Sequence, residues 1–348
     1  MAHRDLVVIG ASAGGVGALQ NLVRGLSPDF PAAVLVTQHV MAGGPSMLPQ
    51  ILARATALPC TAAREGDPLL PGRILVAVPD RHLVVSGDHV TLSSGPRENS
   101  SRPAVDVLFR SAARSRGPRV VAVVLSGAMD DGTAGLVAVR ACGGIGVVQD
   151  PAEATHPSMP RSAVEGASPE YVVKASQIPS LLGELTAAEL DGDWSGPSDL
   201  LSAEVALLGY VPGSSVPDRA HPDPDTAQIG SPTDLTCPEC GGVLNRIEDG
   251  GPVRFGCRAG HTWSSQTLVA QQSAELESAL WMALRSLEEK AALSHELAAR
   301  ATAAGRTRSG ISFEEQSCDA SRAATLVRDL LIRAAAGGVT LTRPIGPT

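Results

Sequence analysis

The feature that most limits what this chain can fold into is an alternation. Short runs of Val, Ile and Leu occur at 6–10 (LVVIG), 33–40, 74–78, 82–86, 89–93, 120–127, 145–149 and 171–174. Helix-like stretches lie among them at 15–26, 45–57, 103–115, 132–142, 158–167 and 176–189. Strands that are apolar at every position must be covered on both faces, which a parallel sheet flanked by helices provides. The pattern predicts an α/β fold with a doubly wound, mostly parallel sheet. The stretch VSGDHV at 85–90 predicts one hairpin, with Gly87-Asp88 at its turn.

After about residue 190 the texture changes, which predicts four segments. Residues 1–192 form the α/β domain. Residues 193–235 form a linker with a short helix at 198–210 and five prolines between Pro212 and Pro232. Residues 236–263 form a cysteine-rich module. Residues 264–348 form a helical tail with Leu276, Leu280, Leu284 and Leu287 spaced by three and four. GRTRSG at 305–310 predicts a break, with a second helix at 313–336. The leucine stripe suits hairpin packing, or a surface for self-association or a regulatory protein.

Composition excludes several classes. With 43% hydrophobic residues and a mean hydropathy of +0.09, most of the 348 residues should be folded. A net charge of -8 argues against a chain-wide nucleic-acid binder. The cysteine module carries Arg246, Arg254 and Arg258 against Glu239, Glu248 and Asp249, so it offers no phosphate footprint and no nucleic-acid partner is expected. The first residues lack a secretory pattern, and the longest purely aliphatic run is VVAVVL (120–125), too short for a membrane span. A cytoplasmic protein is expected.

The first run leads directly into GASAG (10–14), a G-x-S-x-G pattern between a strand and a helix. Such a turn exposes the serine hydroxyl above the sheet edge, beside the positive end of the next helix. The same glycines also suit a phosphate-cradling turn. Two features favour chemistry at Ser12. A dinucleotide site wants an acidic residue at the end of the second strand, yet here stand Gln38 and His39, and His39 is a candidate general base. A third strand-to-helix turn, LSGAMDDGTAG (125–135), carries Asp130 and Asp131, either of which could instead cap the next helix. In a parallel sheet all three turns reach one rim, where a carboxylate can orient an imidazole and complete a triad.

At this point the residues resemble a known family. VVIGASAGGVGALQNLV, TQHV, VPDRHLVV, RPAVDVLFRSAA, VVLSGAMDDGTAGL and QDPAEATHPSMPRSAVEGA, in that order over about 4–190, are similar to the catalytic domain of CheB-type protein-glutamate methylesterases. The resemblance implies Ser12 as nucleophile, His39 as general base and acid, Asp131 rather than Asp130 as orienting carboxylate, and the Ala128 N–H as oxyanion donor. It implies hydrolysis of glutamyl methyl esters on methylated chemoreceptors, often with deamidation of glutamines, and no catalytic cofactor. Three departures stand out: Ala13 replaces a common Thr, Gly-Ala-Met (127–129) replaces Gly-Met-Gly, and, with the catalytic strand at residues 6–10, no receiver domain is expected ahead of it. An inactive CheB-like scaffold is the alternative expectation.

The module CPECGGVLNRIEDGGPVRFGCRAGH gives C-x2-C, sixteen residues, then C-x3-H. Cys237, Cys240, Cys257 and His261 have the types and spacing of a structural zinc ribbon, and so short a segment needs a staple. Cys60, Cys142 and Cys318 stand apart, which suits a reducing compartment.

Overall fold

The computed structural model describes residues 2–40, 44, 46–190, 194–208 and 230–335. The chain forms two compact units, Met1–Leu268 and Val269–Thr348. The first unit opens with β1 (Leu6–Ala11), α1 (Gly15–Arg24), β2 (Ala33–Gln38), α2 (Leu48–Ala53), β3 (Cys60–Ala62) and β4 (Ile74–Val76). A hairpin of β5 (His82–Ser86) and β6 (His89–Ser93) follows, then α3 (Val105–Arg116), β7 (Val120–Val124) and α4 (Thr133–Ala141). The α/β part closes with β8 (Ile145–Gln149), α5 (Ser158–Ala167), β9 (Tyr171–Val173) and α6 (Ile178–Ala187).

Seven strands form one parallel sheet in the order β3-β4-β2-β1-β7-β8-β9. Its two faces explain the unbroken apolar runs. Along β1, Leu6 and Val8 enter one core with Leu108, Phe109, Leu136 and Met159 of α3, α4 and α5. Val7, Ile9 and Ala11 enter the other, with Leu19, Leu22, Leu52 and Leu182 of α1, α2 and α6. Each buried Val, Leu or Ile contributes about 1.5–3 kcal/mol, so a polar residue at any of these positions would cost the sheet dearly. From β1 the chain winds one way to β2 and returns to β7 on the other side. That reversal opens a crevice at the carboxyl ends of β1, β2 and β7, where α/β folds place their ligands.

The expected hairpin pairs Ser86 with His89 around Gly87-Asp88. β3 is an edge strand of three half-exposed or exposed residues, too short and too polar to leave a pattern. Beyond the α/β part, α7 (Asp199–Leu207) is N-capped by the Ser198 side chain, which accepts from the Leu201 N–H. A four-stranded antiparallel sheet follows: β10 (Ser231–Thr236), β11 (Val243–Ile247), β12 (Arg254–Cys257) and β13 (Thr262–Ser264). This sheet belongs to the first unit and starts at Ser231, five residues ahead of the expected module. Most of the proline-rich stretch read as linker lies outside the described residues, as do the 192/193 boundary and residue 336.

The second unit is a helical hairpin formed by most of α8 (Ser265–Ala303) and by α9 (Thr307–Ala335). Leu280, Leu284 and Leu287 pack inside it against Ala324, Val327 and Leu331, whereas Leu276 and Trp281 stay exposed. The second helix begins at Thr307 and not at 313. Gly305 alone turns the chain, with φ +72°, and the Arg306 N–H bonds the Ala301 carbonyl. Gly310 lies within α9, where a Cβ would stand 2.6 Å from Thr302 Oγ1, so it permits close helix approach rather than a break. No helix among the described residues is long and apolar enough to cross a membrane.

Candidate active site and metal cluster

The glycines around Ser12 are required by close packing on three sides. A Cβ on Gly10 would lie 2.1 Å from Val105 at the start of α3. One on Gly15 would lie 2.6 Å from the Ala11 Cβ and 2.7 Å from Gln38 Oε1. Gly14 adopts φ +70° as the N-cap of α1 and faces Thr155 and Ser126. The Ser12 backbone is fully committed. Its N–H donates to Ser126 O (3.0 Å), and its carbonyl accepts from the Gly15 N–H (2.9 Å) and Gln38 Nε2 (2.7 Å). The turn is therefore fixed by its peptide groups, and the side chain is left for other work.

His39 stands one residue past β2, with its N–H continuing the ladder to Ala11 O at 3.1 Å. Its Nδ1 lies 3.1 Å from Ser12 Oγ, and its Nε2 lies 2.6 Å from Asp131 Oδ2. Asp131 is buried at the N-terminus of α3. Oδ2 also accepts from the Val105 N–H (2.7 Å), and Oδ1 from the N–H groups of Asp106 (3.1 Å) and Gly132 (3.0 Å) and from Asn99 Nδ2 (3.1 Å). Burial alone would raise this carboxyl, but the bond and charge of His39 and the α3 N–H groups hold it down at about 2. An ionised carboxylate can only accept. Nε2 therefore carries the ring proton, and Nδ1 is free to accept the Ser12 hydroxyl proton.

The neighbouring Asp130 is used differently. Its Oδ1 accepts from Ser264 Oγ at 2.7 Å, and burial raises its pKa. Neither aspartate side chain caps α4, whose N-cap is Gly132 with φ +94°. The loop carrying Ala128 is pinned on both sides: the Gly127 N–H donates to His156 O, and Gly127 O accepts from the Met159 N–H, both at 3.0 Å. A Cβ on Gly127 would lie 2.9 Å from the Ser12 Cβ. Among the described residues the Ala128 N–H has no acceptor. Sequence reasoning passed over Asn99 and Asp106. Asp106 is fully buried, and desolvation together with Asp131 and Glu98 pushes its carboxyl well above the usual range. No spacing rule marks Asn99, in the irregular stretch RENSSRP (97–103).

In the antiparallel sheet, Cys237, Cys240, Cys257 and His261 bring their ligand atoms within 4.8 Å of one another. Cys240 Sγ and Cys257 Sγ are 3.6 Å apart, and Cys257 Sγ is 3.5 Å from His261 Nδ1. His261 Nε2 meets Glu239 Oε2 at 2.9 Å, which turns Nδ1 toward the sulfurs. Gly242 has no side chain where a Cβ would sit 3.4 Å from Cys240 Sγ. The cluster is a candidate metal centre.

Comparison with known proteins identifies the family and the fold of the α/β part. Residues 7–182 match the family model described as CheB methylesterase. Over 185 residues the chain is 43% identical to "Protein-glutamate methylesterase/protein-glutamine glutaminase 2" of Anaeromyxobacter dehalogenans, covering 53% of this chain and 54% of the relative. It is 38% identical over 188 residues to a protein of the same name from Koribacter versatilis, covering 53% and 52%. The chain thus spans about half the length of these curated relatives. The crystal structure of the Thermotoga maritima CheB methylesterase catalytic domain matches with a TM-score of 0.51 and 32% identity, over 53% of this chain and all of that one.

Proposed function

Because this chain belongs to the CheB methylesterase family, we propose that it hydrolyses glutamyl γ-methyl esters on methylated chemoreceptors. The observation that carries this reading is the hydrogen-bonded series Ser12 Oγ, His39, Asp131 at the switch-point crevice. Ser12 Oγ adds to the ester carbonyl carbon while His39 Nδ1 takes the hydroxyl proton. The carbonyl oxygen becomes an oxyanion, for which the uncommitted Ala128 N–H and the positive end of α1 are the available stabilisers. Collapse of this adduct breaks the bond to the methoxy oxygen, which takes the proton from the imidazolium and departs as methanol. Water then attacks the acyl-serine, again through His39, releasing the glutamate carboxylate and restoring Ser12. A glutamine in the same position would lose ammonia by the same steps. Ala13 contributes no hydroxyl, so oxyanion stabilisation rests on N–H groups and the helix end.

Zinc fits the cysteine cluster. Zn–S bonds of about 2.3 Å in a tetrahedron place sulfurs about 3.8 Å apart, close to the 3.6 Å between Cys240 and Cys257. Three thiolates and one imidazole close the coordination shell, so the zinc would be structural. A strong chelator is expected to release about one zinc per chain and to lower the midpoint of thermal unfolding, read by circular dichroism with a metal-sensitive dye. No release and an unmoved midpoint would leave the cluster as reduced thiols. All six cysteines are free of disulfides, which suits a cytoplasmic place.

The function is tested with the full chain and two substrates. A fluorophosphonate should label Ser12 stoichiometrically, and a methyl-esterified receptor fragment should yield methanol. Labelling without methanol release would retain a serine hydrolase and reject the receptor ester. Absence of both, in folded protein, would reject the enzyme and favour a scaffold.

A further inference from the structure

The Asp131 carboxylate is fastened from a second direction, by the side chain of Asn99. Asn99 is buried, and its amide bonds on both sides. Nδ2 donates to Asp131 Oδ1 and to Asp106 Oδ2, both at 3.1 Å. Oδ1 accepts from the Ser264 backbone N–H (2.8 Å) and from Thr267 Oγ1 (3.0 Å). A backbone N–H can only donate, so the amide has one orientation: its oxygen faces Ser264 and its NH2 faces the carboxylates. Four bonds leave it no freedom to rotate.

The segment that holds Asn99 runs from the last strand of the cysteine-rich sheet into α8. Ser264 ends β13, three residues after the cluster ligand His261, and Thr267 lies in the first turn of α8. The Asn99 N–H donates to Thr262 O at 2.9 Å. This contact secures a loop in which Asn99 and Ser100 both take left-handed φ, +51° and +62°, a conformation that non-glycine residues hold only when neighbours impose it. The Thr267 hydroxyl is itself fixed by the Ser264 N–H at 3.0 Å. Asp130 is held by the same residue through Ser264 Oγ. This segment thus grips both sides of the Asp131 loop.

We infer that Asn99 is a positioning residue for the triad, and that the folded cysteine-rich module, through Ser264 and Thr267, is needed to hold Asp131 in its catalytic orientation. This rests on the triad reading and extends it. Losing the module would leave the Asn99 oxygen without Ser264 and Thr267, and the amide would be free to turn away from Asp131. Two backbone donors would still hold Asp131 Oδ1, so the loss should be partial.

The test compares wild type, Asn99→Ala, Thr267→Val and Thr267→Ser in the full chain. Fluorophosphonate labelling of Ser12 reports the activated serine without any receptor ester, so it separates this inference from the substrate assignment. Asn99→Ala and Thr267→Val should slow labelling roughly tenfold or more, with Thr267→Ser close to wild type because it keeps the hydroxyl. In methanol release the loss should fall on kcat with KM little changed. The downfield proton resonance of His39 Nε2–H should shift in both slow variants and return in Thr267→Ser. Chelation should slow wild-type labelling by a similar factor and add little to Asn99→Ala. If Asn99→Ala does not fold, Thr267→Val carries the comparison, since it keeps the backbone bonds of the loop. Labelling at the wild-type rate in folded Thr267→Val, with an unmoved His39 resonance, would overturn the inference.

Discussion

Ser12→Ala is expected to lower kcat for methanol release by about 10^6-fold, and Asp131→Asn by about 10^4-fold. The difference follows from what each change leaves behind. Without Ser12 Oγ there is no acyl-enzyme, and only the Ala128 N–H and substrate binding remain. In Asp131→Asn the nucleophile and base persist. However, the carboxylate that fixes the Nε2–H tautomer is gone, so Nδ1 is no longer held as the proton acceptor. The new amide would also direct an NH2 at groups that now only donate: the Val105, Asp106 and Gly132 N–H groups and Asn99 Nδ2. Some loss of stability should accompany the loss of rate. The double variant should be little slower than Ser12→Ala alone, because the triad acts as a unit. Multiplying losses would mean that Ser12 and Asp131 act independently, and a Ser12→Ala enzyme within tenfold of wild type would remove Ser12 from the mechanism. Since the Asp131 carboxyl is held at about 2, it stays ionised through the neutral range, and the acid side of the activity profile cannot be its titration.

Arg254→Met is expected to destabilise the first unit by about 3–5 kcal/mol, because it breaks a buried ion network from one side. Arg254, in β12, meets Glu204 of α7 at 2.6 Å and Asp249 at 2.5 Å. Glu204 also faces Arg110 of α3 at 3.8 Å, and Arg110 grips both oxygens of Glu98 at 2.6 Å. Arg254, Arg110, Glu98 and Glu204 are all buried. Removing Arg254 strands the Glu204 charge away from water with only the distant Arg110 to answer it. Replacing both partners, as Arg254→Met with Glu204→Leu, should recover most of the loss, since an apolar pair needs no desolvated partner. The exposed pair Arg246–Glu248 sets the contrast, and Arg246→Ala should cost less than about 1 kcal/mol. Urea unfolding measures all three. A single variant as stable as wild type would mean that water reaches Glu204. The network joins the loop of Asn99 to the module from a second direction, so Arg254→Met should also slow Ser12 labelling.

By itself the sequence determined the parts of this protein that repeat. Unbroken Val, Ile and Leu runs between helices specify a parallel sheet buried on both faces, because burial of apolar surface follows the period of each element. The same rule brings the turns after β1, β2 and β7 to one rim, so Ser12, His39 and the Asp130–Asp131 pair are legible as neighbours from the sequence. The spacing of Cys237, Cys240, Cys257 and His261 is local in the same sense, since two short turns gather the ligands in pairs and the antiparallel pairing of β11 with β12 brings the pairs together. What only the tertiary structure decided is polar and long-range. Periodicity does not tell adjacent aspartates apart, and although the family resemblance favours Asp131, only the fold shows what Asp130 does instead, turning to Ser264, 134 residues away, while Asp131 meets His39. Asn99 sits in an irregular loop and binds Ser264, 165 residues on. A glycine pair suggested a break at 305–310, but only the approach of Thr302 shows that Gly310 serves packing. A hydrogen bond rewards one direction and one distance, and no local pattern encodes which distant residue will supply it. Those pairings wait until the apolar faces have placed the backbone, and they then fix which groups are held fast around Ser12.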